Sequence, residues 1–306
     1  MAASDGGRKV RKPGRLLTAM VTPFNQEGGV DYEQAKRLAL ALLDSGSEGL
    51  VVVGTTGESP TLIRDEELRL FTEVKSAVGE RGLVVAGTGS NSTTEALEAT
   101  KAAERIGVDA CLLVVPYYNK PTQEGLYQHF RTIAESTSLP CILYNVPSRT
   151  VVSLSADTII RLSRIDNIIG LKEASGNLEQ VARVIGDAPD DFLVWSGNDS
   201  DTLPILALGG YGVISVASHL VGNQIKKMID SFMIGDTGIA ADIHRSLLPL
   251  INALFIIANP VPTKYALNHI GFPVGNPRLP LVAPDEKTAA FIRDTLKGYH
   301  IDLLVN

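Results

Sequence analysis

Lys172 is the residue whose surroundings most need explaining. It sits in the run Ile168-Ile169-Gly170-Leu171-Lys172-Glu173-Ala174, whose β-branched and small residues read as a buried strand. Period-two alternation puts Ile168, Gly170, Lys172 and Ala174 on one face. If that face points inward, the amine loses water, its pKa falls and a neutral nucleophile becomes available. A lysine snorkelling from a strand end, or pairing with a neighbouring carboxylate, would explain the position as well. Tyr144 shares a face with Ile142 and Val146. A phenol beside an imine can shuttle protons, although a core tyrosine with one satisfied hydroxyl has the same pattern. Thr55 and Thr56, bracketed by Gly54 and Gly57, offer hydroxyls and backbone N–H groups to a carboxylate; such turns also simply cap helices. The fork of Arg149 matches a carboxylate bidentately, and a surface ion pair would use it equally well.

These residues need a scaffold that brings distant segments together. Eight short apolar runs read as strands: Leu16–Val21, Gly49–Gly54, Leu83–Gly87, Ala110–Val115, Cys141–Tyr144, Ile168–Lys172, Phe192–Trp195 and Gly212–Val216. Helical patterns lie between them, among them Asp31–Leu43, Asp65–Val78, Thr93–Ile106 and Thr122–Ser136. Asp31 and Thr93 are placed as caps, and Gly79 and Gly107 as helix stops. Roughly 25–35 residues per unit is the βαβ period, and eight units predict an α/β fold, a (β/α)8 TIM barrel with parallel strands. An open doubly wound sheet is the alternative. It usually carries G-x-G-x-x-G after its first strand, where this chain has Thr22-Pro23-Phe24. The expected organisation is a flexible tail over residues 1–13, a barrel over 14–235 and a helical layer over 236–306 packed on the barrel. Ile243–Ile257 is apolar, Pro260 and Pro262 then break the chain, and no low-complexity linker intervenes.

Barrel active sites lie at the C-terminal ends of the strands. Those ends read Gly54–Ser59, Pro116–Pro121, Tyr144–Thr150, Lys172–Ser175 and Ser196–Asp199, so the lysine, the tyrosine, the hydroxyl pair and the arginine all fall at one mouth. Gly87-Thr88-Gly89-Ser90 is read as an ordinary strand-end turn rather than a phosphate cradle. His129 is read as structural, and His219 as a possible pocket residue without a visible partner.

Composition narrows the function classes. The net charge is −6 and 44% of the residues are hydrophobic, which argues against a nucleic-acid or anionic-membrane partner and for a large core. The basic run Arg8, Lys9, Arg11, Lys12 and Arg15 is read as a solvated tail. Cys111 and Cys141 sit in apolar runs and are expected as buried free thiols of a reducing compartment. The five histidines show no metal-type spacing with the cysteines. No apolar h-region and no 18-residue apolar span is apparent, so a soluble, cytoplasmic protein is expected.

Four motifs in order, GTTGES (Gly54–Ser59), PYYNKP (Pro116–Pro121), YNVPSRT (Tyr144–Thr150) and GLKEASG (Gly170–Gly176), resemble those of the pyruvate-dependent class I lyase and aldolase family. Within it they most resemble the dihydrodipicolinate synthase branch, from about Leu16 to the C-terminus. The resemblance implies a Schiff-base mechanism with neither metal nor cofactor. Lys172 would condense with pyruvate, and the derived enamine would attack L-aspartate-4-semialdehyde in lysine and diaminopimelate biosynthesis. Tyr144 would be the acid/base, linked through Thr55 to Tyr118, which in the family reaches in from a neighbouring subunit of an obligate dimer, usually paired into a tetramer. Thr55 and Thr56 would hold the pyruvate carboxylate, Gly197 and Ile214 would line the pocket, and Arg149 would receive the second carboxylate.

Sialic acid lyases and keto-deoxy-sugar aldolases share the lysine and tyrosine. They usually lack the arginine two residues after the proline of YNVP, as well as the Thr-Thr and Tyr-Tyr pairs. A non-catalytic keto-acid-binding barrel would not need the intact proton relay, and a phosphate-sugar barrel finds little support in Gly209-Gly210 or Ser218-His219. The resemblance also raises allosteric inhibition by L-lysine at a dimer interface, at the positions Ser59, Pro60, Arg64, Glu67, Asn91, Glu95 and Tyr117. Pro60 and Arg64 depart from the enteric-type pattern, and Arg64 would repel a lysine ammonium.

Overall fold

The computed structural model describes residues 13–305. The strands β1 (Leu16–Ala19), β2 (Gly49–Val52), β3 (Leu83–Gly87), β4 (Ala110–Val114), β5 (Cys141–Asn145), β6 (Ile168–Glu173), β7 (Leu193–Ser196) and β8 (Gly212–Ser215) close in chain order into a parallel barrel, β8 pairing with β1. The helices are α1 (Tyr32–Asp44), α2 (Arg64–Val78), α3 (Thr93–Ile106), α4 (Gln123–Ala134), α5 (Pro147–Thr150), α6 (Ala156–Leu162), α7 (Leu178–Asp187), α8 (Thr202–Ala207), α9 (Ser218–Met233), α10 (Thr237–Leu254), α11 (Val261–His269) and α12 (Glu286–Leu296). All eight expected strands are present. β2 stops before Gly54 because Val53 turns left-handed, at φ 60°. Asp31 caps α1 as expected, while α3 is capped by Ser92 rather than Thr93: the Ser92 hydroxyl accepts from the Glu95 N–H.

Alternation sorts the apolar residues into two cores. Leu17, Val51, Val85, Leu112, Ile142, Tyr144 and Ile214 fill the barrel, and a larger set that includes Leu50, Leu113, Leu143 and Leu171 packs between strands and helices. Strand β6 departs from strict alternation. Cys141 pairs with Ile168 but Ile142 with Gly170, so one residue is inserted. Ile168 therefore lies in the outer core and Ile169 packs against the inner one, correcting the expected facing of Ile168 alone. Beyond the bulge the register holds and Ala174 lies with the inner core. Gly170 is needed where it stands, since a Cβ there would lie 2.3 Å from the Leu193 carbonyl oxygen and 2.7 Å from the Trp195 ring.

The far end of the barrel is sealed by its own N-terminal segment. Trp195 Nε1 donates to the Gly14 carbonyl at 3.0 Å and the Tyr211 hydroxyl to the Pro13 carbonyl at 2.7 Å. Arg15 lies over the Tyr211 ring, 4.5 Å from its centroid, and donates to the Tyr211 carbonyl at 2.6 Å. Arg15 thus belongs to the barrel floor and not to a solvated run; the other basic residues, Arg8 to Lys12, lie outside the described residues. After β8, α10 packs on α9, and α11 and α12 pack on one another and on α10. No described helix is long and apolar enough to cross a membrane.

Candidate active site

Lys172 projects into the barrel near its mouth with only 5% of its surface exposed. Its Nζ lies 4.3 Å from the centroid of the Tyr144 ring, as the pairing of Lys172 with Tyr144 across β5 and β6 requires. Burial pushes the amine down to about 8, against a smaller opposing pull from Asp199 and a small push from Arg149. Asp199 stays anchored at the end of β7. Its carboxylate accepts from the Ser215 hydroxyl and from the backbone N–H groups of Val216 and Ala217 at 2.9 and 3.1 Å. Burial raises the Tyr144 phenol, against smaller opposing effects of Arg149 and Thr55. Lysine and tyrosine therefore form one group at the barrel mouth, with Thr55 on the adjoining cavity wall.

Two further supports fix the loops around that group. Thr56 Oγ1 accepts from Asn259 Nδ2 at 2.9 Å, and the Asn259 carbonyl accepts from Arg149 at 3.2 Å. Glu173, next to Lys172 but facing outward, accepts from Asn145 Nδ2 at 3.0 and 3.1 Å and from the Ser175 N–H at 2.7 Å. The other side of the Asn145 amide accepts from the Leu154 N–H at 3.0 Å. This clamp ties β6 to the far end of the loop that carries Arg149. Gly197 leaves no room for a side chain: a Cβ would lie 2.8 Å from Ala174 Cβ. Ile214 is wholly buried in the inner core.

A cavity of about 230 Å3 opens beside the group, lined by Thr55, Val114, Tyr117, Val146, Arg149 and Thr150 among others. Next to it lies a second, of about 210 Å3, lined by Ser59, Pro60, Arg64, Glu67, Glu95 and Tyr117, with the Gly87–Ser90 turn. Six of the seven expected effector positions meet there. Asn91 does not line it, and its carbonyl accepts from Asn119. Arg64 and Glu67 form an ion pair at 2.7 Å, and burial still pushes the Glu67 carboxyl up to about 7. An open groove of about 870 Å3 beside Phe24 and Pro277 contains none of the expected site residues. Tyr118 stands apart from the mouth: it is 88% exposed and left-handed at φ 75°.

The histidines have structural partners. His219 Nε2 accepts from the Val21 N–H at 3.2 Å, which leaves Nδ1 to donate to the Val216 carbonyl at 2.8 Å; burial lowers it to about 4. It is a strut between β1 and β8 rather than a pocket residue. His129 is buried on α4 against Thr93, as expected. Cys111 and Cys141 are buried free thiols on neighbouring strands.

The matches to known proteins agree with this geometry. The model of the dihydrodipicolinate synthetase family matches residues 12–298. The chain belongs to that family. A 4-hydroxy-tetrahydrodipicolinate synthase of Dehalococcoides mccartyi is 68% identical over 294 residues, covering 96% of this chain and 99% of the relative. Among family members of known structure, the dihydrodipicolinate synthase of Bacillus anthracis superposes with a TM-score of 0.92 at 45% identity, covering 94% of this chain and 98% of that one. The enzyme of Cyanidioschyzon merolae, solved with lysine bound, superposes equally well at 49% identity, covering 93% and 97%.

Asn259 is the residue that the sequence reading missed. Pro260 had marked this stretch only as a break after an apolar helix. Nothing local signals that a loop 203 residues from Thr56 returns to bond its hydroxyl.

Proposed function

We propose that the protein acts as a 4-hydroxy-tetrahydrodipicolinate synthase, a Schiff-base lyase that condenses pyruvate with L-aspartate-4-semialdehyde. The observation that carries this reading is a buried amine, lowered to about 8, that stands 4.3 Å from the ring of a buried tyrosine at the barrel mouth. The neutral Lys172 amine attacks the ketone carbon of pyruvate, and loss of water gives the imine. A methyl proton then leaves and the resulting enamine carbon bonds to the aldehyde carbon of the second substrate. The amino group of the adduct displaces Lys172 as the ring closes, so one water leaves overall. Tyr144, through Thr55, moves the protons at the hydroxyl and aldehyde oxygens. Thr55 and Thr56 receive the pyruvate carboxylate, Arg149 receives that of the semialdehyde, and Gly197 and Ile214 bound the pocket.

Tyr118 completes the relay from a second copy of the chain. Its exposure and its left-handed backbone on a protruding turn support a homo-oligomer, a dimer or a dimer of dimers. The cavity at Ser59, Pro60, Arg64, Glu67, Glu95 and Tyr117 supports L-lysine as an inhibitor, with Glu67 facing the effector's ammonium once Arg64 gives way. Asn91 would join only if the turn at Asn119 moves. The free buried thiols suit a cytoplasmic enzyme.

Incubation with pyruvate and borohydride, followed by mass mapping, should give one adduct on Lys172 in the wild type and none in Lys172→Ala. A wild type without that adduct would sink the mechanism. Comparing aspartate semialdehyde with sugar-type aldehydes then settles the acceptor, and Arg149→Ala should impair use of the semialdehyde most. Millimolar L-lysine should lower the turnover rate; unchanged activity would remove the regulatory reading.

A further inference from the structure

The turn carrying Thr55 and Thr56 is not held by the barrel alone. Val53 and Glu58, at its two ends, have φ of 60° and 59°, a region that non-glycine residues avoid. Between them Gly57 packs so closely that a Cβ would lie 3.1 Å from Val53 Cα. Such a turn persists only where its surroundings over-determine it; here these are Thr22, whose hydroxyl donates to the Gly57 carbonyl at 2.6 Å, and the C-terminal helices with their connecting loops. Lys264 on α11 places Nζ 2.6 Å from Glu58 Oε1, with both side chains 1% exposed. No other ion pair among the described residues is buried so completely on both sides. The second Glu58 oxygen accepts from the backbone N–H of Arg278 at 2.9 Å. Arg278 in turn grips Glu66 in the first turn of α2 through two nitrogens, at 2.6 and 2.7 Å.

An apolar pair of similar volume would stabilise this contact at least as well. What the ion pair adds is direction, because it and the Arg278 N–H hold the Glu58 carboxylate by both oxygens. Five residues before Lys264, the Asn259 amide donates to Thr56 Oγ1. That bond occupies a lone pair of the hydroxyl oxygen and leaves the Thr56 proton free to donate to a bound carboxylate.

We propose that Asn259 and Lys264 are positioning residues: through the Asn259–Thr56 hydrogen bond and the buried Glu58–Lys264 pair, the C-terminal helices set the Thr55–Thr56 turn to receive the carboxylate of the keto acid. This rests on the reading of that turn as the pyruvate carboxylate receptor. Two variants test it by steady-state kinetics, Asn259→Ala and the charge-free double variant Glu58→Gln with Lys264→Met. Each should raise the KM for pyruvate about tenfold, the cost of one well-made hydrogen bond to a charged group. The kcat at saturating pyruvate and the KM for the aldehyde should change much less. A purely structural role would instead lower the thermal midpoint and the active fraction while leaving the pyruvate KM alone. A folded Asn259→Ala with wild-type KM for pyruvate overturns the proposal, and that variant decides alone if the double variant does not accumulate. Borohydride trapping of the wild type, run in parallel, separates the two readings. An adduct on Lys172 with unchanged KM in the variants defeats the positioning role only, whereas a wild type without adduct defeats the receptor reading beneath it.

Discussion

Burial holds the Lys172 amine near 8, some way below an ordinary lysine, and this shift has kinetic and energetic consequences. The neutral fraction grows about tenfold per pH unit below that value and saturates above it. Adduct formation at fixed pyruvate should therefore climb with a log slope near one from about pH 6 and level off above pH 8; a flat profile would exclude the free amine as the attacking species. The sign of the stability effect follows from proton counting. Between about pH 8 and 10.5 the unfolded chain binds a proton that the folded site has released, so stability rises with pH in that window. Below pH 8 the buried ammonium costs its full amount, on the order of 3 kcal/mol. Lys172→Met should accordingly be more stable than the wild type in urea at pH 7, with the gain shrinking towards pH 10. Equal stability at pH 7 would mean that the folded site does not depress the amine towards 8. Period-two patterning put Lys172 and Tyr144 each on a definite strand face and left the direction of those faces open; the pairing of β5 with β6 shows that they meet. That Asn259 meets Thr56 was not legible, because contact between such distant loops depends on how helices pack outside the barrel.

Strand β6 shows what patterning captures and where it slips. Its tail, Gly170 to Ala174, has the facing that alternation predicts, but a single inserted residue turns Ile168 to the other side. Two adjacent isoleucines carry no mark that says which of them bulges. Helix limits were readable within a residue or two, as at Asp31, and the expected Thr93–Ile106 is α3 itself; what shifted, where two hydroxyl residues competed, was the cap, which is Ser92 and not Thr93. Arg15 looked like the last residue of a basic run because its partner, Tyr211, lies 196 residues away. Strand packing also yields a test. A methyl group at Gly170 would meet the Leu193 carbonyl at 2.3 Å, so Gly170→Ala must push β6 from β7 at a cost of about 1–3 kcal/mol. Equilibrium unfolding should show that loss, together with slower pyruvate adduct formation as Lys172 moves with its strand. Unchanged stability would mean that the two strands separate freely there.

On the scale of the molecule, closure of eight βα units was legible in their period, and the mouth as the seat of chemistry followed from that closure. The place of Tyr118 was not readable from one chain's packing, since it stands 88% exposed and touches none of the group it is proposed to serve. Mixing two inactive proteins tests this directly. Tyr118→Phe and Lys172→Ala, dissociated and reassembled together, should regain activity, because a mixed dimer has one site with both an intact lysine and a partner's intact tyrosine. Failure to complement would place Tyr118 in its own subunit's site or in none. The floor bears on the lysine from the opposite direction. With Trp195 bonded to Gly14, Tyr211 to Pro13 and Arg15 folded over the Tyr211 ring, the chain that enters β1 is pinned across the end opposite the mouth. Between that floor and Lys172 the interior is filled by side chains, so a keto acid that enters at the mouth finds the amine at the bottom of its path.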